Sequence, residues 1–559
     1  MHFSFVYFIL SFTFLVIHES VSGQREPLSN SGKYIPHIEK RGKVTQLIVD
    51  GKPFLILGGE LRNSSSSSLD YLNPIWANMV SMNMNTALVA VPWDMIELEE
   101  GKFNFNLVDN ILKGARDHKL RLILLWFGSW KNGFSHYAPQ WVKEDYKRFP
   151  RIKLKNGKAT ETISPFSKEC LKVESHAFAS FMKHLAKVDT KDRTVIMIQV
   201  ENEVGVFGDS RDRSAIADSA FNNSVPKEII NYLKKNKHEL QPALRTTWES
   251  FGAKNSGRWE DVFGNGHAAE EIFMAWNYAQ YVNAVSKAGK TEYPIPMFVN
   301  AWIMQRDDEK PGDYPSGGPQ THVHDIWRIG APKIDILTPD IYRLDFKNIM
   351  GMYHHSWNPL FIPESRASSG VSNAFYAFGQ HDAIGYSPFG FETVADSIKE
   401  VISKGYKMLS DMSPMILEAQ SKGVIAGVFL NKDDSVQTIN IGGYTLESVV
   451  NRPSRITGFS EIGYGLIINP SYDKYIIAGF NMEVTFKPST PGPAFAGLAS
   501  VWEGVYENGH WKRGRKLNGD NVMINYKIAQ EVNKGKTGSG AKFEGKEPQI
   551  LNITLYRFE

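Results

Sequence analysis

The sequence predicts a (β/α)8 barrel followed by a C-terminal antiparallel β-sandwich, and three observations carry that prediction. Short apolar runs alternate with helical stretches from Phe54 to about residue 400, the pattern of a parallel sheet wrapped by its own crossover helices. Several of these runs stop abruptly at polar or acidic residues. From about residue 405 the pattern changes to short alternating segments broken by Gly, Asn and Pro, which suits a sandwich of antiparallel strands.

The elements follow in order. Phe3 to Ile17 is nearly all apolar but short for a membrane helix, and His18, Glu19 and the small residues Val21 and Gly23 follow it. This reads as an export signal occupying residues 1–23, with an uncleaved anchor as the alternative. Residues 24–44 form a polar lead-in, and the barrel domain is expected over 45–404. Val44–Val49, Asp50-Gly51 and Phe54–Leu57 read as strand, tight turn and strand, since Asp-Gly between apolar runs favours a hairpin. The serine run Ser64 to Ser68 precedes a helical pattern through Tyr71, Ile75, Met79 and Met82, so it is expected to be a βα loop supplying a serine N-cap.

Further units repeat the scheme. Strands are expected at Thr86–Val91, Leu120–Trp126, Val195–Val200, Pro296–Trp302, Ile334–Pro339, Pro359–Ile362 and Asp382–Tyr386, with helices at Leu107–His118, Glu174–Ala186, 267–289 and Val394–Gln420. Beyond 405, strands are expected at Val424–Leu430, Gln437–Ile441, Leu466–Ile468, Tyr475–Phe480, Met482–Phe486, Val522–Ile528 and Ile550–Phe558, with a Gly- and Lys-rich surface loop at Asn533–Lys546. The second domain is therefore expected over 405–559.

Composition narrows the function classes. The 559 residues carry 63 basic and 60 acidic side chains, a formal charge of +3 without a basic block, which argues against nucleic acid as a partner. After the signal no segment approaches a membrane span. The aromatic share of 12% suits a large core, and equally suits sugar rings, which pack on flat apolar faces. Cys170 is the single cysteine, so no intrachain disulfide can form, and a buried structural role is expected for it.

Two strand ends carry the chemistry. The run Val195–Val200 stops at Glu201, Asn202 and Glu203, and a second short apolar run stops at Pro363-Glu364. Strand ends of one barrel converge on one mouth however far apart they lie in sequence. Two carboxylates there form the pair that glycoside hydrolysis needs, one protonated to assist the leaving oxygen and one ionised to attack or stabilise the sugar cation. The same acids could equally cap turns or pair with Lys and Arg, and local sequence leaves both readings open.

The segment Gln199-Val-Glu-Asn-Glu-Val-Gly resembles the Gln-Ile-Glu-Asn-Glu-Tyr-Gly motif of glycoside hydrolase family 35, the β-galactosidases of clan A. Gly59-Glu60-Leu61-Arg62-Asn63, Pro92-Trp93-Asp94 with Glu100-Gly101-Lys102-Phe103-Asn104-Phe105, and Pro363-Glu364 are similar to that family or its relatives, over about residues 45 to 400. The C-terminal domain resembles one appended to a bacterial branch. The resemblance implies Glu203 as acid/base, Glu364 as nucleophile and Asn202 as the partner of the sugar 2-hydroxyl. It implies that Tyr342 holds Glu364, that Glu60, Trp93, Asn300 and Tyr342 line the substrate, and that Glu201 is a bystander. Val204 replaces the usual tyrosine, and Arg62 stands where some relatives have histidine.

The expected function is that of an exported, retaining exo-β-galactosidase acting on an oligosaccharide or polysaccharide, with no cofactor and no metal. A clan relative cutting another β-linked sugar, and a silent glycan-binding protein, are the alternatives. Weaker motifs are set aside. Gly264-Asn-Gly266-His-Ala-Ala269 lacks the strand a dinucleotide site requires, and His322-Val-His324 and His354-His355 have metal-like spacing without further ligands. No nucleophile elbow or phosphate loop is present.

Overall fold

The computed structural model describes residues 35–451, 461–507, 509–518, 521–522, 539–543 and 547–559. The expected signal at 1–23 lies outside the described residues. Among those described, no helix is long and apolar enough to cross a membrane.

The barrel strands are β1 Ile56–Glu60, β2 Thr86–Pro92, β3 Arg121–Lys131, β4 Val195–Asn202, β5 Met297–Trp302, β6 Ile336–Ile341, β7 (Phe361–Ile362 and Glu364–Ser365) and β8 Gly385–Tyr386. The helices after them are α1 Leu69–Ser81, α2 Asn106–Asp117, α3 Lys168–Asp189, α4 His267–Glu292, α5 His324–Gly330, α6 Phe346–Tyr353, α7 Gly370–Gln380 and α8 Asp396–Lys422. β1 to β6 pair in parallel, each with the next. Pro363, with no N–H to donate to a ladder, splits β7. Its first half pairs with β8 (Phe361↔Gly385) and its second with β6 (Asp340↔Glu364), and β8 pairs with β1 (Gly385↔Ile56), so the ring closes.

Both faces of the strands are buried. Leu88, Ala90, Ile123, Leu125, Ile196, Phe298 and Phe361 fill the interior, while Ala87, Val89, Val91, Leu122, Leu124, Val195 and Val200 pack outward among the helices. That explains why the strands read as continuous apolar runs. The N-terminal hairpin closes the bottom of the ring. Asp50 (φ 52°) and Gly51 (φ 74°) turn it in the left-handed region, and Leu47 and Val49 join the interior cluster. The lead-in expected at 24–44 is corrected here, because His37–Arg41 is a strand paired with Val44–Ile48.

The expected boundary at 404/405 falls within a helix. α8 runs unbroken through it to Lys422 and ends at Gly423, whose φ of 66° makes a left-handed cap. Ten antiparallel strands are described beyond it. They are β9 Ile425–Leu430, β10 Val436–Ile441, β11 Tyr444–Val450, β12 Gly463–Ser471, β13 Lys474–Phe480, β14 Met482–Pro488, β15 Phe495–Glu507, β16 His510–Lys516, β17 Ser539–Lys542 and β18 Gln549–Phe558. They form a six-stranded sheet ordered β9-β12-β13-β18-β15-β16 and a four-stranded sheet ordered β10-β11-β14-β17. Alternation sorts the faces of the larger sheet. Phe429, Leu466, Ile468, Ile476 and Ile550 pack with the barrel core, and Val428, Leu430, Ile467, Ile477 and Leu551 pack with the smaller sheet.

Ser539–Lys542 is a strand where a loop was expected, with Ala541 fully buried against the smaller sheet. Most of the expected strand Val522–Ile528 lies outside the described residues. Tyr444–Val450, Phe495–Glu507 and His510–Lys516 were not anticipated. The last, HWKRGRK, is a mostly exposed strand at a sheet edge, where charge rather than apolar alternation is the rule.

Candidate active site

The site is built where β4 ends. Glu201 (φ 63°) and Glu203 (φ 45°) both take left-handed backbone, a conformation that costs a non-glycine residue about 1 kcal/mol or more and persists only where neighbours enforce it. The enforcing bonds are present. The Glu203 backbone N–H donates to Asn300 Oδ1 at 3.0 Å, and Asn300 Nδ2 donates to Asp340 Oδ2 at 2.7 Å. Asn132 Nδ2 donates to Glu203 Oε2, and Lys131 Nζ donates to Asn202 Oδ1 at 3.0 Å. Across the mouth, the Tyr342 hydroxyl donates to Glu364 Oε1, and Glu364 lies beside Asp340 in strand register.

Four carboxyls, Glu60, Glu203, Asp340 and Glu364, therefore surround the Lys131 ammonium. Burial and the charge of Glu364 push Glu203 up to about 7, against the pull of Lys131 and of hydrogen bonds from Asp340 and Asn132. Asp340 and Glu60 are raised well above the usual range, chiefly by burial and then by Glu364. For Lys131, burial acts to lower the pKa, but the four acids more than offset it and leave it raised. Asn202 Nδ2 is buried without a protein partner, and Glu364 Oε2, Asp340 Oδ1 and both Glu60 oxygens are buried with no N–H or hydroxyl donor, meeting only neighbouring carboxyls. Such groups are costly unless something pairs with them, and a ring of sugar hydroxyls would do so.

The structure thus gathers Glu60, Asn202, Glu203, Asn300, Tyr342 and Glu364 from five strand ends. Asn300 differs from its expected role as a sugar contact, because both ends of its amide are taken by Glu203 and Asp340. Trp93, also expected against the sugar, is fully buried, its Nε1–H donates to Glu97 Oε2 at 2.7 Å, and it packs edge-on against Trp141. Lys131, Asn132 and Asp340 were missed. Asp340 stands at a strand end, which was a usable signal. Lys131 and Asn132 lie after an irregular stretch of β3 whose length no periodicity reveals.

The histidine motifs have other partners. His322 Nε2 lies 2.7 Å from Glu271 Oε2, and burial takes His324 down to about 3. No cluster of metal-ligating side chains occurs among the described residues. Gly264 and Gly266 follow a short helix, Trp259–Phe263, and open α4, so no strand feeds a dinucleotide loop there.

Residues 70–278 match the family model Glyco_hydro_42, described as beta-galactosidase. The matched segment lies within the barrel, which is similar there to a β-galactosidase-like glycoside hydrolase domain. The resemblance to family 35 is corrected by this match, which is to family 42. Residues 402–527 match a domain of unknown function, DUF5597. No curated protein matches the chain. Among solved structures, the chain is similar to the β-galactosidase of Bacillus circulans sp. alkalophilus, at 15% identity and a TM-score of 0.45 over 65% of this chain and 57% of that one. It is similar to the β-galactosidase of Rahnella sp. R3, at 16% identity and 0.45 over 67% and 60%. It is also similar to the β-1,4-D-mannanase of Cryptopygus antarcticus, at 13% and 0.40 over 67% and 95%. The chain spans less than two thirds of the length of those two β-galactosidases.

Proposed function

We propose that the protein is an exported, retaining exo-β-galactosidase, with Glu203 as acid/base and Glu364 as nucleophile. The observation that carries this reading is the pairing of a buried carboxyl titrating near 7, Glu203, with a second carboxylate, Glu364, held by Tyr342 across the same barrel mouth.

In the first step Glu364 attacks the anomeric carbon while Glu203 gives its proton to the glycosidic oxygen. The C–O bond to the leaving alcohol breaks and a galactosyl ester forms on Glu364. In the second step Glu203, now a carboxylate, takes a proton from water, whose oxygen attacks the same carbon and releases the sugar with its configuration retained. Asn202 Nδ2 is free to donate to the 2-hydroxyl, while Glu60 and Asp340 offer acceptors to the other hydroxyls. Two carboxyls and water supply the whole reaction.

Hydrolysis of aryl glycosides, lactose, galactosylated xyloglucan and pectic galactan, with proton NMR of the first-released anomer, tests the reading. Release of β-galactose is the expected result, and its loss in Glu364→Ala supports the nucleophile. Preference for a glucoside, mannoside or arabinoside would replace the sugar assignment. Binding of intact oligosaccharide with no cleavage would replace the enzyme with a binding protein. Export follows from the apolar Phe3–Ile17 segment, and a secreted product beginning at Gln24 is its expected sign.

A further inference from the structure

Side chains bridge the ends of β3 and β4 in three consecutive rungs. Glu201 accepts from the backbone N–H of Ser129 (Oε1, 3.2 Å) and of Trp130 (Oε2, 2.8 Å). The next residue of each strand forms the second rung, Lys131 to Asn202, and the next again the third, Asn132 to Glu203. Strand register explains why the first rung is needed. Trp126 is paired with Val200 and Lys131 with Asn202, so Phe127, Gly128, Ser129 and Trp130 bulge opposite Glu201 alone. The bulge has no regular ladder there, and a carboxylate satisfies two of its N–H groups instead.

Glu201 is itself held from behind. Glu174 on α3 accepts from Trp126 Nε1 at 3.1 Å, from the Tyr281 hydroxyl at 2.8 Å and from the Ser129 hydroxyl, and it lies within hydrogen-bonding reach of Glu201. Burial, and next the charge and hydrogen bond of Glu174, raise the Glu201 carboxyl well above its ordinary range. Glu201, Glu174, Ser129 and Trp130 are fully buried, and the chain runs on from them into residues 131 and 132.

We propose that Glu201 is a positioning residue for Glu203: by fixing the Ser129–Trp130 bulge it places Asn132 against the Glu203 carboxyl. The inference rests on the acid/base reading of Glu203. A misplaced acid penalises substrates whose leaving group needs protonation and spares those whose leaving group departs as an anion. Glu201→Gln puts an NH2 against one of the two N–H donors and so loosens the bulge.

The experiment measures kcat and KM of Glu201→Gln and Asn132→Ala on lactose and on dinitrophenyl β-galactoside, beside thermal melts. In both variants kcat/KM on lactose is expected to fall by about 30-fold or more, and kcat/KM on the dinitrophenyl substrate, whose first step needs no proton from Glu203, by about 3-fold or less. Equal losses on both substrates, or no loss in Asn132→Ala, would overturn the proposal. Asn132→Ala stands in should Glu201→Gln not fold. Carbon-13 titration of the Glu203 carboxyl reads the same effect without turnover. Lys131, Glu364, Asp340 and Glu60 face that carboxyl from β3, β7, β6 and β1, so its pKa should rise when Asn132 is misplaced, and an unmoved titration in both variants would also overturn it. Wild-type protein inactive on both galactosides and on the aryl glucoside, mannoside and arabinoside would refute the acid/base reading instead, and leaves that titration to decide the clamp.

Discussion

Lys131 Nζ donates to Asn202 Oδ1 at 3.0 Å while standing among four carboxyls, so one ammonium both orients that amide and offsets part of the charge of the acids around it. Lys131→Met leaves these acids uncompensated in a dry site. Breaking such a buried ion group costs about 3–5 kcal/mol. The loss should be largest near pH 8 and smaller near pH 5, where more of the acids are protonated, and urea unfolding at the two pH values checks this.

Activity should fall as pH rises through about 7, because the proton Glu203 must deliver is lost there. The alkaline limb of kcat/KM reports that group in the free enzyme. In Asn132→Ala the limb should move upward, since the Asn132 hydrogen bond helps hold the pKa down. A downward move would contradict the assignment.

The same shift has a stability consequence. Glu203 titrates higher in the folded chain than its ordinary value of 4.5, so the folded state binds the proton more tightly. Its contribution is complete below pH 4.5 and is lost as pH rises to about 7. Glu203→Gln cannot titrate, and should be more stable than the wild type at pH 8 by about 3 kcal/mol, with the advantage vanishing near pH 4. Paired denaturant melts at pH 4 and 8 measure it.

Cys170 is fully buried, and burial together with Glu174 pushes its thiol up to about 12. A thiol this inaccessible and this weakly ionised should not react with a thiol-exchange reagent such as DTNB in the native protein. Full reaction should appear only across the unfolding transition, and rapid labelling of folded protein would refute the prediction.

Much of the fold was legible because the longer barrel strands are apolar on both faces and helices such as α2 carry one apolar stripe. What local patterning could not convey lies where those periods fail. The bulge before Lys131 breaks the two-residue alternation. Pro363 splits a strand so short that its halves pair with different neighbours. The exposed edge strand His510–Lys516 carries charge where a buried strand would carry valine. Trp93 follows Pro92 at a strand end as a sugar contact would, yet its indole N–H is already spent on Glu97.

By itself the sequence determined the architecture and the strand ends that bear Glu203 and Glu364, because burial imposes its pattern residue by residue along the chain. Only the tertiary structure decided the company those acids keep. Lys131, Asn132 and Asp340 reach Glu203 through register, a bulge and ring closure, and Glu201 turns from bystander to clamp by the same geometry. Such convergence depends on how strands stack against one another in space, and no period within a single strand encodes it.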